Sequence, residues 1–429
     1  MTAAAADPMD ASRRAGSALR VTCFALPIAG HLMPLLPVLS GLVAEGAQVD
    51  VVTSEATAER FAAVGAKVVA TYPEAFSLAV QRPSANFLEV AAFLARSTEQ
   101  TLLGLAGRVL AATEPDVVIV DSMAPWGLLG AELRGVPVVT STSSFLIGAT
   151  LGASPRAGAD VVRRAGAATG ALRSIGRSRR ALRRASAVDC GGPLRLLSNR
   201  GAATIVYTSR EFQPGGDRFA RDVHFVGPTA ADRSSDAPEP GSPLASLLSD
   251  TSRPFAHVSL GTIYNDRPQF LRDVAVALAG DGYRVTVDLG ATTPADALGP
   301  LPPHVVCVRD VPQLALLDRA SLFVTHGGMN SVHEALWRSV PMVVFPQAAD
   351  QPVVGARLQA LGAAHVLRGR DPSGEAISAA ARAMESPAAR EAAARLGAGL
   401  RRTEGVAAAT RVILGQAARR RRVPASAPT

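Results

Sequence analysis

Aromatic residues make up only 4% of this 429-residue chain, and they are not interleaved with basic ones. That argues against a base-stacking surface for nucleic acid, although the formal net charge is +8. Lysine is all but absent, Lys67 being the exception, so arginine carries nearly all the positive charge. We read this as a compositional bias of the source and not as function. The arginines gather in two places, Arg156 to Arg184 and Arg419 to Arg422. There are three cysteines (Cys23, Cys190 and Cys307), and no pair of them has metal-ligand spacing. Cys23 and Cys307 sit in apolar runs, as reduced core residues of a cytoplasmic protein do. No run approaches the ~20 apolar residues of a spanning helix. Residues 1–19 lack the apolar stretch of a secretory signal.

What remains is an ordinary globular composition, with 48% hydrophobic and 19% charged residues. At this length it provides for two cores. Apolar strand-like runs alternate with helical periodicity. Strands are expected at 20–26, 48–53, 67–71, 116–121, 136–141 and 203–207, with helices at 34–45, 87–112 and 126–134. Between Pro228 and Pro254 the chain turns rich in Pro, Ser and Asp, which reads as a linker with one helical turn at 243–249. The alternation then resumes, with strands at 255–260, 284–289, 304–308, 321–325, 341–345 and 363–367. Helices between and after them fall at 268–280, 312–319, 329–338, 352–361 and 375–386, then a helical stretch at 388–418. The pattern predicts two doubly wound α/β units with parallel sheets. Ligands in such sheets bind at the carboxyl ends of the strands.

The most informative segment is SLFVTHGGMNSVHEALWRSVPMVVFPQAADQ, residues 321–351. A strand ends at Thr325, and His326-Gly327-Gly328 makes a turn without bulk. A helix then begins near Asn330, and its free N–H groups and dipole favour an anion such as a diphosphate. Asn330 and Ser331 add side-chain donors. Glu334, one turn later, can accept from both hydroxyls of a ribose. Asp350 and Gln351 offer a carboxylate and an amide for sugar hydroxyls.

This segment resembles the nucleotide-sugar signature of the family 1 glycosyltransferases of GT-B fold, a family that includes macrolide and plant secondary-metabolite enzymes. The likeness rests on Pro312-Gln313, His326-Gly-Gly-x-Asn-Ser, Glu334, Val340-Pro341, Pro346 and Asp350-Gln351. It implies two Rossmann-like domains facing across a cleft, with acceptor in the first and donor in the second. His326, Gly327, Gly328, Met329, Asn330 and Ser331 would hold the diphosphate and Glu334 the ribose. Val311 and Gln313 would lie beside the base, and Asp350 and Gln351 would hold the transferred sugar. Gly261 and Thr262 belong to a loop near the phosphates. Asp310 stands where the family often has a base-stacking tryptophan, and Ser339 where a glycine precedes Val-Pro.

The loop PIAGHLMP, residues 27–34, follows the first strand. A Gly-His in a loop is no signal alone. The resemblance makes His31 the general base and Asp121, at the end of VVIVD, its partner. The competing reading of Asp121 is an N-cap for the helix that follows, at 124–134. The implied reaction is direct inverting displacement without a metal or other cofactor. Ile28, Phe76, Phe87, Phe93, Trp126 and Phe145 are candidate acceptor walls, each also readable as core. The region 146–200 reads as a mobile helical lid, where Arg173, Arg177, Arg180 and Arg184 recur at helical spacing.

The expected division is a disordered tail at 1–19, an acceptor domain at 20–228, a linker at 229–253 and a donor domain at 254–400. A terminal helix at 401–418 and a disordered basic tail at 419–429 complete it. The expected partners are a UDP- or TDP-linked hexose or deoxyhexose and a hydrophobic natural product, with no nucleic acid. A monomer or a homodimer fits. A peripheral membrane enzyme acting on a lipid-like acceptor, an epimerase and a non-catalytic relative are the competing readings. The arginine clusters favour the first of these, as a weak membrane-surface contact. The intact His31, Asp121, Glu334 and Asp350-Gln351 set argues against the other two.

Overall fold

The computed structural model describes residues 18–81, 87–146, 165–186, 188–230, 238–261, 266–290, 293–309 and 312–422. The chain divides into two compact units, residues 1–229 with 404–429, and residues 230–403.

The first unit is built on β1 (Arg20–Phe24), β2 (Gln48–Thr53), β3 (Lys67–Thr71), β4 (Val117–Asp121), β5 (Val138–Thr142), β6 (Ala203–Val206) and β7 (Val223–Phe225). Their spatial order is β3-β2-β1-β4-β5-β6-β7, and every pairing is parallel. Side chains alternate between the faces. Val21, Cys23, Val117 and Ile119 pack with Leu35, Leu39, Ala409 and Ile413, from the helices Ala29–Ala44 and Gly405–Arg422. Phe24, Val118 and Val120 pack with Leu94, Leu110, Trp126 and Ile175 from helices on the other face. Covering both faces favours apolar strands, and the central β4 (VVIVD) is apolar up to its last residue.

The second unit is built on β8 (Phe255–Ser259), β9 (Arg284–Asp288), β10 (Val305–Val308), β11 (Leu322–Thr325), β12 (Met342–Val344) and β13 (Ala364–Val366). The order is β10-β9-β8-β11-β12-β13, again parallel. In each sheet the strand order reverses at one place: between β1 and β4 in the first, between β8 and β11 in the second. Crossover helices leave in opposite directions there, opening a crevice at the strands' carboxyl ends.

Three findings depart from the sequence reading, and one expectation is met. The first sheet does not end at residue 207, because β7 adds a strand at its edge. Within the Pro- and Ser-rich segment the helical turn expected at 243–249 is present as the helix Pro243–Ser249: Ser242 caps it through Ala245 N–H, and Leu244 and Leu247 pack on Phe255 and Leu316. The terminal helical stretch is two helices, Pro387–Arg401 and Gly405–Arg422. The second of them returns to the first unit, where Gly405 N–H donates to Val226 O at 2.9 Å and Gly41 lies against Val406. The basic tail is helical as far as Arg422, because buried Asp116 accepts from Arg421 at 2.7 Å and the Pro115 carbonyl accepts from Arg420 at 3.1 Å.

Candidate active site

In the first unit the turn after β1 leads into the helix Ala29–Ala44, and His31 sits in its first turn. Asp121 is the last residue of the neighbouring β4. Both therefore stand at the crevice where the strand order reverses. His31 Nδ1 and Asp121 Oδ2 are 2.7 Å apart. The other Asp121 oxygen accepts from the Met123 N–H at 2.8 Å. Asp121 is 3% exposed, so its carboxylate is held in a dry setting by two donors. An ionised carboxylate only accepts, so the proton of a neutral His31 resides on Nδ1 and Nε2 carries the lone pair. That is the arrangement a base requires.

In the second unit the chain leaves β11 through His326, Gly327 and Gly328 into the helix Met329–Trp337. Gly327 has φ 84°, and a Cβ there would lie 2.8 Å from Val344 Cγ1. Gly261, at the matching place after β8, has φ 76°, and its Cβ would come within 2.6 Å of His326 Cε1. A Cβ on Gly328 would collide with His326 Nε2. The imidazole is thus wedged between two bare backbones at the reversal point. Burial pushes its pKa down to about 4, partly offset by the Ser259 carbonyl accepting from the ring. His326 is therefore uncharged at neutral pH, and the helix N-terminus is left as the positive element of the turn.

Farther along that helix, Gln313 Nε2 donates to Glu334 Oε2 at 2.5 Å and reaches Ser331 Oγ at 3.4 Å. Glu334 is buried. The sequence reading placed Gln313 beside the base through its backbone; here its side chain holds Glu334. Asp350 precedes the helix Gln351–Ala360. The Gln351 side-chain carbonyl accepts from Gln347 N–H at 2.8 Å and Ala348 N–H at 3.1 Å, so this residue shapes the loop after β12. A Cβ on Gly327 would be 3.6 Å from the Gln351 carbonyl, so this loop and the His-Gly-Gly turn are neighbours. Met329 is buried, while Asn330 and Ser331 are partly exposed. Asp310, Val311 and Thr262 lie outside the described residues.

Asp288 was missed. It ends β9 and accepts from Ser259 Oγ at 2.8 Å and from Gly290 N–H at 2.9 Å. Ser259 Oγ in turn accepts from Gly261 N–H at 3.2 Å. The signal was an aspartate closing an apolar strand, RVTVD, just as Asp121 closes VVIVD.

The acceptor candidates fare differently. Phe76, Trp126 and Phe145 are buried, so they are core residues and not open walls. Trp126 meets Tyr72 and Phe76 edge-on at 5.6 and 5.2 Å, and Phe93 stacks on Phe76. Such large apolar areas are most stable out of water. Ile28 packs on the same cluster, and only Phe87 is well exposed, at 48%. The expected lid falls partly outside the described residues. Its helix Ala165–Ser186 is docked, with Ile175 and Leu182 in the core and Arg96 donating to Ser174 Oγ at 3.0 Å.

Two Rossmann-like units, one with a partly buried His–Asp pair and the other with a helix N-terminus at its reversal point, define a two-substrate enzyme of GT-B architecture. The sequence profile of the erythromycin biosynthesis protein CIII-like C-terminal domain matches residues 282–403. The demethyllactenocin mycarosyltransferase of Streptomyces fradiae is 32% identical over 416 residues, covering 92% of this chain and 86% of that protein. The glycotransferase of kitacinnamycin superposes with a TM-score of 0.76 at 26% identity, covering 92% of this chain and 98% of its own. The calicheamicin glycosyltransferase CalG4 gives a TM-score of 0.75 at 26% identity, over 94% and 99%. This chain belongs to the bacterial family 1 glycosyltransferases of secondary metabolism and transfers a sugar from a nucleotide donor.

Proposed function

We propose that the chain is an inverting transferase that moves a hexose or deoxyhexose from a UDP- or TDP-sugar to a hydroxyl of a hydrophobic natural product. The single observation that carries this reading is the His31–Asp121 pair, with Nδ1 committed to the carboxylate. His31 Nε2 takes the acceptor's hydroxyl proton as the acceptor oxygen bonds to C1 of the sugar. The bond from C1 to the diphosphate oxygen breaks on the opposite side, and Asp121 stabilises the imidazolium that forms. A direct displacement inverts C1, so an α-linked donor yields a β-glycoside.

The leaving diphosphate is received by the free N–H groups at the start of Met329–Trp337, with Asn330 and Ser331. A neutral His326 supplies at most an N–H, so the helix N-terminus carries the larger share. Glu334 accepts from the ribose, oriented by Gln313. Asp350 and the loop braced by Gln351 hold the sugar. The reading takes no metal and places the enzyme in the cytoplasm. The named relative and structures, a mycarosyltransferase and the kitacinnamycin and calicheamicin enzymes, support an antibiotic-like acceptor.

The test is to titrate the protein with UDP and TDP by calorimetry, then run transfer with the matching α-linked sugar and read the product's anomeric configuration by NMR. A β-glycoside is expected. An α-glycoside would contradict direct displacement.

A further inference from the structure

A groove of about 870 Å³ lies within the first unit, far along its sheet from the β1–β4 reversal. One wall is β7, the strand at the sheet's edge, and the other is the helix Gly405–Arg422. Arg210, Arg221, Arg411, Arg419 and His224 line it, against one carboxylate, Asp222. Asp222 is already engaged by Arg200 at 2.7 Å. Arg411 is paired with Glu404, and Arg210 donates to the Gly216 carbonyl and lies over Phe225. Arg221 and Arg419 have no hydrogen-bond or ion-pair partner among the described residues, and both are exposed.

The excess positive charge is spread out. Arg411 and Arg419 are eight residues apart on one helix, about 12 Å along its axis. A single phosphate cannot meet both ends of such a row. An extended polypeptide, advancing about 3.3 Å per residue, covers that span in roughly four residues. β7 is the last strand of its sheet among the described residues, and Val223, His224 and Phe225 line the same groove.

We propose that this groove binds an extended acidic segment of a partner protein, its carboxylates set against Arg221, Arg419 and Arg411 along the groove between β7 and the helix Gly405–Arg422. This site is separate from the sugar-transfer residues and does not rest on their assignment.

The experiment uses the full chain and a fluorescein-labelled hexaglutamate peptide, read by fluorescence polarisation. Saturable binding is expected at about 0.02 M salt, with strong weakening at about 0.3 M, as for exposed charges in a screening solvent. R221E/R419E is expected to weaken binding at least about tenfold while sugar transfer stays at the wild-type rate. R173E/R177E, an equal charge change on the exposed face of another helix, is expected to leave binding unchanged. Should R221E/R419E fail to fold, R221Q/R419Q carries the same expectation with a smaller loss. The proposal is overturned if no saturable binding appears at low salt, or if both pairs reduce it equally. It is also overturned if inorganic pyrophosphate displaces the peptide at equal concentration, which would make this a small-anion site.

Discussion

The His31 imidazole and the Asp121 carboxylate, ninety residues apart in sequence, meet at 2.7 Å across the reversal of the first sheet. With Nδ1 facing the carboxylate, a neutral ring has its proton on Nδ1 and its lone pair on Nε2. Asp121→Asn keeps the shape and an oxygen toward Met123 N–H but removes the charge that stabilises an imidazolium. Steady-state kinetics should show kcat lower by about 100-fold or more, with the donor KM little changed. A kcat near that of the wild type would leave Asp121 only as a brace of the turn after β4, through Met123 N–H.

Glu334→Ala should weaken nucleoside diphosphate binding by about tenfold or more, since a hydrogen bond to a charged group contributes roughly 1.5–3 kcal/mol. Gln313→Ala should give a smaller loss, because it acts by holding Glu334. Calorimetry with a 2′,3′-dideoxynucleoside diphosphate isolates the ribose contribution. If Glu334→Ala weakens that ligand as much as the natural one, the carboxylate does not hold the sugar ring's hydroxyls.

Gly328→Ala would drive a methyl into the His326 ring, and Gly261→Ala would do so from the other side at a left-handed backbone position. Both variants should lose donor affinity by about tenfold or more through displacement of the turn. Gly261→Ala should also lower Tm, because φ 76° is costly for any residue with a Cβ. Unchanged donor affinity in both would show that the wedge around His326 is only packing.

Three histidines of the second unit are held uncharged by burial. His326 has its pKa pushed down to about 4, and His257 and His333 to about 3. The unfolded chain takes up these protons near pH 6.5 while the folded unit refuses them, so stability is lost as pH falls from about 6.5 toward 4. Each group contributes about 1.4 kcal/mol per pH unit within that window. Thermal unfolding should show a Tm that is flat above pH 7 and falls steeply below pH 6. A Tm unchanged down to pH 4.5 would mean that these rings are protonated in the folded protein.

Much of this architecture was legible in the residues. Apolar runs such as VVIVD and SLFVT alternate with helical periodicity, and a parallel sheet covered on both faces demands that pattern. The cluster from His326 to Gln351 was legible because strand, glycine turn and helix are contiguous in the chain. What was not legible depends on tertiary choice. Val223–Phe225 is too short to announce itself as an edge strand. Nothing in the Ala- and Arg-rich terminal stretch reveals that its second half packs on Leu39 and Val21 of the first unit. Trp126 and Phe76 were candidate walls that read more readily as core from sequence, and the structure packs both into the core. Asp288 needed the neighbouring strand in place before its bond to Ser259 had meaning.

The most direct test of the central claim pairs two measurements on His31→Ala: the rate of sugar transfer and the affinity for the donor nucleotide. The account predicts transfer lower by about 100-fold or more, as for loss of a general base, with donor affinity within about twofold of the wild type. Transfer that survives at the wild-type rate would contradict the assignment of His31 as the base.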